Sequence, residues 1–281
     1  MLYIILCIPL YILNSFCDKS ISLKNSTGIH AAYNLLKFLI GSLLLFPLFY
    51  LDPSRTHGIV ILCGILCGFL YALSKMLILS GYEQTSIAFM TLCHAAGMLL
   101  PCIVGHFLWG ETLSLLSLVG ILLVVASIFL LKDSKKVEHR TNRKGIFLGV
   151  AVLFTSGGVM VLQKVMGMYH PDSGVDAYNF YSFLFAFLLL GIFTGKSTAL
   201  HMVSKKMVFP ALGSAVSLCI ISLVMTHLAS SFPSVILFPL YNGSSILLVT
   251  LLSALRFHEQ ITPKKGIGMA VGLLGLYLIN L

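Results

Sequence analysis

Charge is what this sequence has least of. Only 10% of its 281 residues are Asp, Glu, Lys or Arg, and just nine are acidic. A soluble chain of this size needs far more charge to cover its surface, which excludes water-soluble globular folds. HExxH, a glycine-rich phosphate loop and paired carboxylates at membrane depth are also missing, and their absence removes the sequence grounds for an integral-membrane enzyme. Strict apolar/polar alternation is absent as well, which argues against a transmembrane barrel. The seven cysteines are scattered, mostly in apolar runs, where Cys acts as a small buried hydrophobe. No cofactor and no metal are expected.

What remains is 58% hydrophobic, and it is arranged in runs of about twenty residues, the length that crosses the roughly 30 Å apolar slab of a bilayer. The fold class expected is an all-α membrane protein with ten transmembrane helices, at 2–17, 30–51, 58–80, 85–108, 113–132, 145–168, 178–195, 207–229, 234–256 and 264–281. The first run has no basic residues before it and no small-residue cleavage site, so it is read as a span and not as a signal peptide.

The net charge of +9 comes chiefly from the connections. Loops after odd-numbered spans carry fourteen Lys and Arg, six of them within Lys132–Lys144, whereas loops after even-numbered spans carry Arg55 alone. The positive-inside rule then places the basic linker in the cytosol and both termini outside, with no nucleic acid as partner.

A shift of 148 residues superimposes two patterns. Ser86–Leu131 maps onto Ser234–Ile279, Glu111 falls on Glu259, Gly120 on Gly268 and Ser114 on Thr262, the last pair being candidate helix N-caps, with Pro263 at the first helical position. Five spans in each half put the halves in opposite orientation. The organisation expected is two inverted five-helix repeats, residues 1–132 and 145–281, joined by a linker at 133–144, an arrangement associated with secondary transporters.

Ten spans as five plus five, Gly110-Glu111 and His258-Glu259 at the turns before glycine-bearing fifth and tenth spans, Lys164 after Gly157-Gly158 in span six, and Lys19 at the matching end of span one together resemble the drug/metabolite transporter superfamily, EamA type. The resemblance implies a cavity lined mainly by spans one, three, four, six, eight and nine, with five and ten set aside. It also implies export rather than uptake. Gly268, Gly272 and Gly275 form a small-residue stripe on span ten, and Gly120 and Ser127 sit on the corresponding face of span five, a pattern suited to close helix packing.

Polar groups at bilayer depth are costly, which makes them the candidate substrate contacts. His94 lies near the centre of span four, and the shift places Asn242, beside Tyr241, at the equivalent position of span nine. Tyr11, Asn14, Tyr71, Thr155, Ser156 and Ser222 are the other polar groups at depth. For each, the alternative is a helix–helix or same-helix hydrogen bond with no cargo. Pro101 and Pro239 can kink spans four and nine.

Three lysines lie within spans. Lys164, near a span end, is expected to snorkel to the interface; Lys75 either snorkels or presents a cation to a cavity mouth; Lys37, if inward, favours an anionic or carboxylate-bearing cargo. No Asp or Glu occupies the centre of a span, since Glu83, Glu111 and Glu259 sit at turns. Glu111 and Glu259 each precede a helix start by three residues, where the exposed amides of that helix favour a carboxylate. His106 and His227 read as interfacial.

The function expected is secondary transport of a small organic metabolite, amino acids first, across a bacterial inner (plasma) membrane. Proton coupling through His94, facilitated diffusion and exchange are all open, as are monomer and homodimer. The alternatives are a membrane enzyme or an accessory subunit without a cavity.

Overall fold

A computed structural model describes residues 2–22, 27–51, 57–82, 84, 87–131, 143–169, 174–194, 204–257 and 263–279. Among these residues there are eleven helices and no strands: α1 (Leu2–Ser22), α2 (Thr27–Leu51), α3 (Gly58–Tyr82), α4 (Ile87–Ala96), α5 (Leu99–Trp109), α6 (Leu115–Leu131), α7 (Arg143–Tyr169), α8 (Val175–Thr194), α9 (Lys205–Ser231), α10 (Ser234–Phe257) and α11 (Pro263–Ile279). The helices α4 and α5 are two pieces of the fourth span, so the architecture is ten spans, five plus five. By length and composition α2, α3, α7, α8 and α9 are each sufficient to cross a membrane. Glu83, Ser86, Lys132 to Asn142 of the basic linker, Asp172, His258, Glu259 and Thr262 lie outside the described residues.

Two compact units divide the chain, and each draws on both halves of the sequence. Unit 1 comprises Met1–Leu79 and Leu162–Ser231; unit 2 comprises Ser80–Val161 and Phe232–Leu281. In unit 1, α2 packs on α8 and on α9, and α1 packs on α9. Its core joins Leu35, Phe38 and Leu45 of α2 to Ala72 of α3, Phe180 and Phe183 of α8 and Cys219 of α9. Offset ring stacking of Phe49 on Phe180, with centroids 4.8 Å apart, extends it. In unit 2, α6 packs on α11, and α10 packs on α5, α6 and α11.

Helix ends follow local chemistry. The hydroxyl of Ser114 accepts the Ser117 N–H at 3.0 Å, the N-cap expected for α6. Gly110 closes α5 in the left-handed region (φ 63°), with the Glu111 N–H returning to the Gly105 carbonyl at 3.1 Å. Proline opens α11 at Pro263, where its missing N–H leaves no hydrogen bond unmade.

The fourth span breaks at Gly97-Met98, one turn before Pro101. A proline cannot donate to the carbonyl four residues earlier, here Gly97, and its ring crowds that carbonyl. The chain responds by tightening: Gly97 bonds to His94, Met98 to Ala95 and Leu100 to Gly97, all three residues apart. In contrast α10 runs unbroken through Pro239.

Spans five and ten meet along the glycine stripe. A Cβ at Gly120 would lie 2.7 Å from the Gly275 carbonyl oxygen, a Cβ at Gly275 equally close to that of Gly120, and a Cβ at Gly272 2.9 Å from Ser127 Oγ. The helices therefore touch backbone to backbone, the contact that small residues permit in lipid. Replacing Gly120 by Leu is expected to destabilise the detergent-purified protein by about 1–3 kcal/mol, the usual cost of overpacking. Gly266→Ala, at a site with open space around the Cβ, serves as the control and should leave the unfolding curve in place.

Candidate functional site

The most concentrated polar cluster in unit 1 centres on a residue outside the expected set. Helix α1 continues to Ser22, five residues past the span end expected from hydropathy, and so carries Asp18 within the helix. One carboxylate oxygen, Oδ1, accepts from Lys37 Nζ at 2.7 Å, from the Tyr33 hydroxyl at 2.7 Å and from Ser214 Oγ at 3.2 Å. Ser214 also donates to Asn14 Oδ1, one turn earlier on α1. The Lys37 ammonium lies 5.0 Å from the centroid of the Tyr33 ring, a cation–π contact.

Burial within the ion pair is unequal. The Lys37 side chain is 1% exposed and that of Asp18 39%. An ammonium this deep in an apolar helix is sustained by its carboxylate partner. Asp18, four residues from the end of α1, keeps part of its carboxylate open while it holds the buried ammonium. Tyr11, seven residues earlier on α1, and Lys75 of α3 are near enough for the Asp18 charge to act on them, and Lys75 also feels Lys37.

A second group in unit 1 runs through α7, α9 and α8. Gln163 Nε2 donates to Ser222 Oγ at 3.2 Å, Ser222 donates to Asn179 Oδ1 at 2.5 Å, and Asn179 Nδ2 donates to the Val175 carbonyl at 2.8 Å. Ser222 thus links α7 to α8 through its hydroxyl. Tyr71 packs its ring on Phe38 and Phe183. Gln163 is a residue the sequence reading misses, although it lies at least as far inside its span as Asn14; Asn179, the second residue of span seven, is beyond the reach of the depth rule.

Lys164 departs from expectation. Instead of snorkelling it is 3% exposed and donates to the Ala229 carbonyl at 2.8 Å. That carbonyl belongs to the last turn of α9, where four acceptors lack helical partners and the dipole favours a cation. Close approach of α7 makes the reach short: a Cβ at Gly167 would sit 2.2 Å from the Thr226 carbonyl oxygen.

In unit 2, the His94 carbonyl accepts the Ser156 hydroxyl at 2.9 Å, and Gly97 and Gly157 pack so closely that a Cβ on Gly157 would lie 2.5 Å from the Gly97 carbonyl oxygen. Ser156 therefore anchors α7 to the break in the fourth span. Thr155 bonds back to Val152. Tyr241 and Asn242 are both buried, and Asn242 Nδ2 donates to the Phe238 carbonyl of its own helix at 2.9 Å.

Glu111 caps a helix that is distant in sequence. Its carboxylate accepts the Ser234 N–H at 2.7 Å and the Ser234 hydroxyl at 3.3 Å, so it caps α10, 123 residues away. Ser114 already occupies the start of α6. A Cβ on Gly105 would lie 2.4 Å from the Glu111 carboxylate, so glycine leaves room for it. His106 Nδ1, in contact with the Glu111 carbonyl oxygen at 2.9 Å, steadies the same turn.

Ten apolar helical spans with polar groups held at depth define a multi-pass membrane protein. Its sequence matches the EamA-like transporter family over residues 21–132 and again over 143–281, and the chain belongs to that family, within the drug/metabolite transporter superfamily. A solved structure described only as "Crystal structure of protein" is similar in fold, with a TM-score of 0.81 at 15% identity, covering 99% of this chain and 94% of that one. No curated protein matches the sequence.

The ion pair gives a stability test. Removing one partner strands a buried charge, so Asp18→Ala should cost about 3–5 kcal/mol, whereas the double variant Asp18→Asn with Lys37→Met should cost less than the single one. Unfolding of the purified protein measures both, and equal losses would contradict the pairing.

Proposed function

We propose that this EamA-family transporter is a secondary carrier that moves a small organic metabolite, amino acids foremost, by alternating exposure of a central cavity, in the export direction across the inner (plasma) membrane with both termini outside. The observation that carries the reading is the half-open Asp18 carboxylate, ringed by Asn14, Tyr33, Lys37 and Ser214 within otherwise apolar helices. An accessory subunit without transport activity gains nothing from a half-open carboxylate that holds a buried lysine four residues from the end of α1. The family is one of transporters, not enzymes.

The substrate contacts proposed are His94, Tyr241 and Asn242 in unit 2 with Ser156, and Tyr11, Asn14, Tyr71, Lys75 and Ser222 in unit 1. Asp18, like His94, is a group able to couple transport to protons, and facilitated diffusion or exchange is compatible with the same residues. Purified protein in proteoliposomes, loaded with a mixture of amino acids and assayed for counterflow, tests the reading. His94→Ala and Asn242→Ala should each reduce exchange by at least about tenfold with expression and folding intact. Unchanged rates would remove those two residues from the path, and absence of exchange for every solute would sink the carrier reading.

A further inference from the structure

The hydrogen bonds that join α7, α9 and α8 in unit 1 run in one direction, and the chemistry of the groups forces that direction. The Asn179 atom 2.8 Å from the Val175 carbonyl must be its amide nitrogen, because a carbonyl only accepts. Asn179 Oδ1 therefore faces Ser222 and takes the single hydrogen of that hydroxyl. Ser222 Oγ then has only lone pairs to offer Gln163, so the atom 3.2 Å from it is Nε2, and the Gln163 amide has one permitted orientation. Its oxygen, Oε1, is left over: among the described residues no donor meets it. Gln163 is 6% exposed, and Oε1 is part of what stays open, since the described side-chain oxygens sealed from solvent without a partner are the hydroxyls of Ser74, Tyr178 and Ser245. The opening is not on the lipid side. Phe154, nine residues earlier and so about two and a half turns away on the opposite side of α7, is exposed together with Phe147 and Val150. A deeply buried acceptor with no donor is costly, and one held in place by three successive hydrogen bonds calls for a donor from outside the chain.

We infer that Gln163 Oε1 receives the ammonium group of an amino-acid solute, and that Ser222 and Asn179 are positioning residues that keep this oxygen turned outward. This rests on the carrier reading above and adds to it the group recognised and the atom that recognises it. The Gln163 amide, the Ser222 hydroxyl and the Asn179 amide are dipoles aligned head to tail, with the negative end at Oε1. Each bond polarises the next, so a positively charged donor gains more at that oxygen than a neutral one. Ser222, whose hydrogen is committed to Asn179, acts on the solute through Gln163.

The test is the thermal stability of the full-length protein in detergent, titrated with glycine, L-alanine, L-leucine and L-phenylalanine, each against its N,N-dimethyl and N,N,N-trimethyl form. A ligand that binds the folded form raises its melting temperature. Methylation keeps the positive charge throughout, but the dimethyl form retains one N–H and the trimethyl form has none. At least one parent amino acid and its dimethyl form should stabilise the protein. The trimethyl form should bind about ten- to hundredfold more weakly, the worth of a hydrogen bond to a charged group. Gln163→Met, which keeps the length of the side chain and removes the oxygen, should weaken the response to the parent by the same factor. Ser222→Ala leaves the Gln163 amide free to turn over, so it should narrow the gap between dimethyl and trimethyl forms, and Ser222→Thr, which keeps the hydroxyl, should restore that gap.

Any of five results would overturn the assignment: no stabilisation by any of the four amino acids; a trimethyl form as effective as its parent, as at a site that holds only water; a dimethyl form as weak as the trimethyl, as bulk alone would give; an unweakened response in Gln163→Met; or a full gap retained in Ser222→Ala. Proteoliposomes separate this from the broader reading. Counterflow that persists undiminished in Gln163→Met defeats the Gln163 site and leaves the carrier standing, while N–H-dependent binding in detergent without any counterflow does the reverse.

Discussion

An ammonium inside an apolar helix must find a negative partner, and in unit 1 that demand organises what surrounds it. Lys37 lies in the interior of α2, too far from either end to reach water along its own helix. The partner comes from α1, which has to remain helical past residue 17 to present Asp18. Ser214 of α9 and Tyr33 of α2 then complete the carboxylate's coordination, so one oxygen ties three helices together. Apolar packing alone would permit many rotations of α1 on α9, but the bond from Ser214 to Asn14 and Asp18 selects one.

Charge is used in the same economical way where the chain leaves unit 1 at Ser231 and enters unit 2 at Phe232. Helix α9 ends under the Lys164 ammonium, and α10 begins under the Glu111 carboxylate, each with the sign its helix end favours. Both partners are admitted by glycine, Gly167 in one case and Gly105 in the other. With only Phe232 and Pro233 between the two helices, the backbone groups at these ends have little chain nearby to satisfy them, and distant charged side chains supply what the turn cannot.

The repeats are equal in plan and unequal in detail. Pro101 stands deep in its span, so the lost hydrogen bond falls between two formed turns and the helix parts into α4 and α5. Pro239 is only the sixth residue of α10. The carbonyl it leaves unpaired, that of Val235, belongs to the first turn, and the helix absorbs the loss without dividing. By contrast the seam of α6 on α11 is shared by both halves, since Gly120 and Gly275 present their carbonyls to one another with no side chain between.

Number and approximate limits of the spans, the Ser114 cap, the start at Pro263 and the glycine seam were all legible in the sequence, because each depends on a run of apolar residues, a local hydrogen bond or the size of a single side chain. Partners of the polar groups were not. Asp18 fell just beyond a hydropathy boundary, Glu111 seemed to belong to the helix beside it, and Lys164 seemed near enough to an end to reach water. Their true contacts, Lys37, Ser234 and Ala229, were decided only in the tertiary structure, because the rotation and closeness of packed helices determine which buried donor meets which acceptor, and neither quantity is encoded within a single helix.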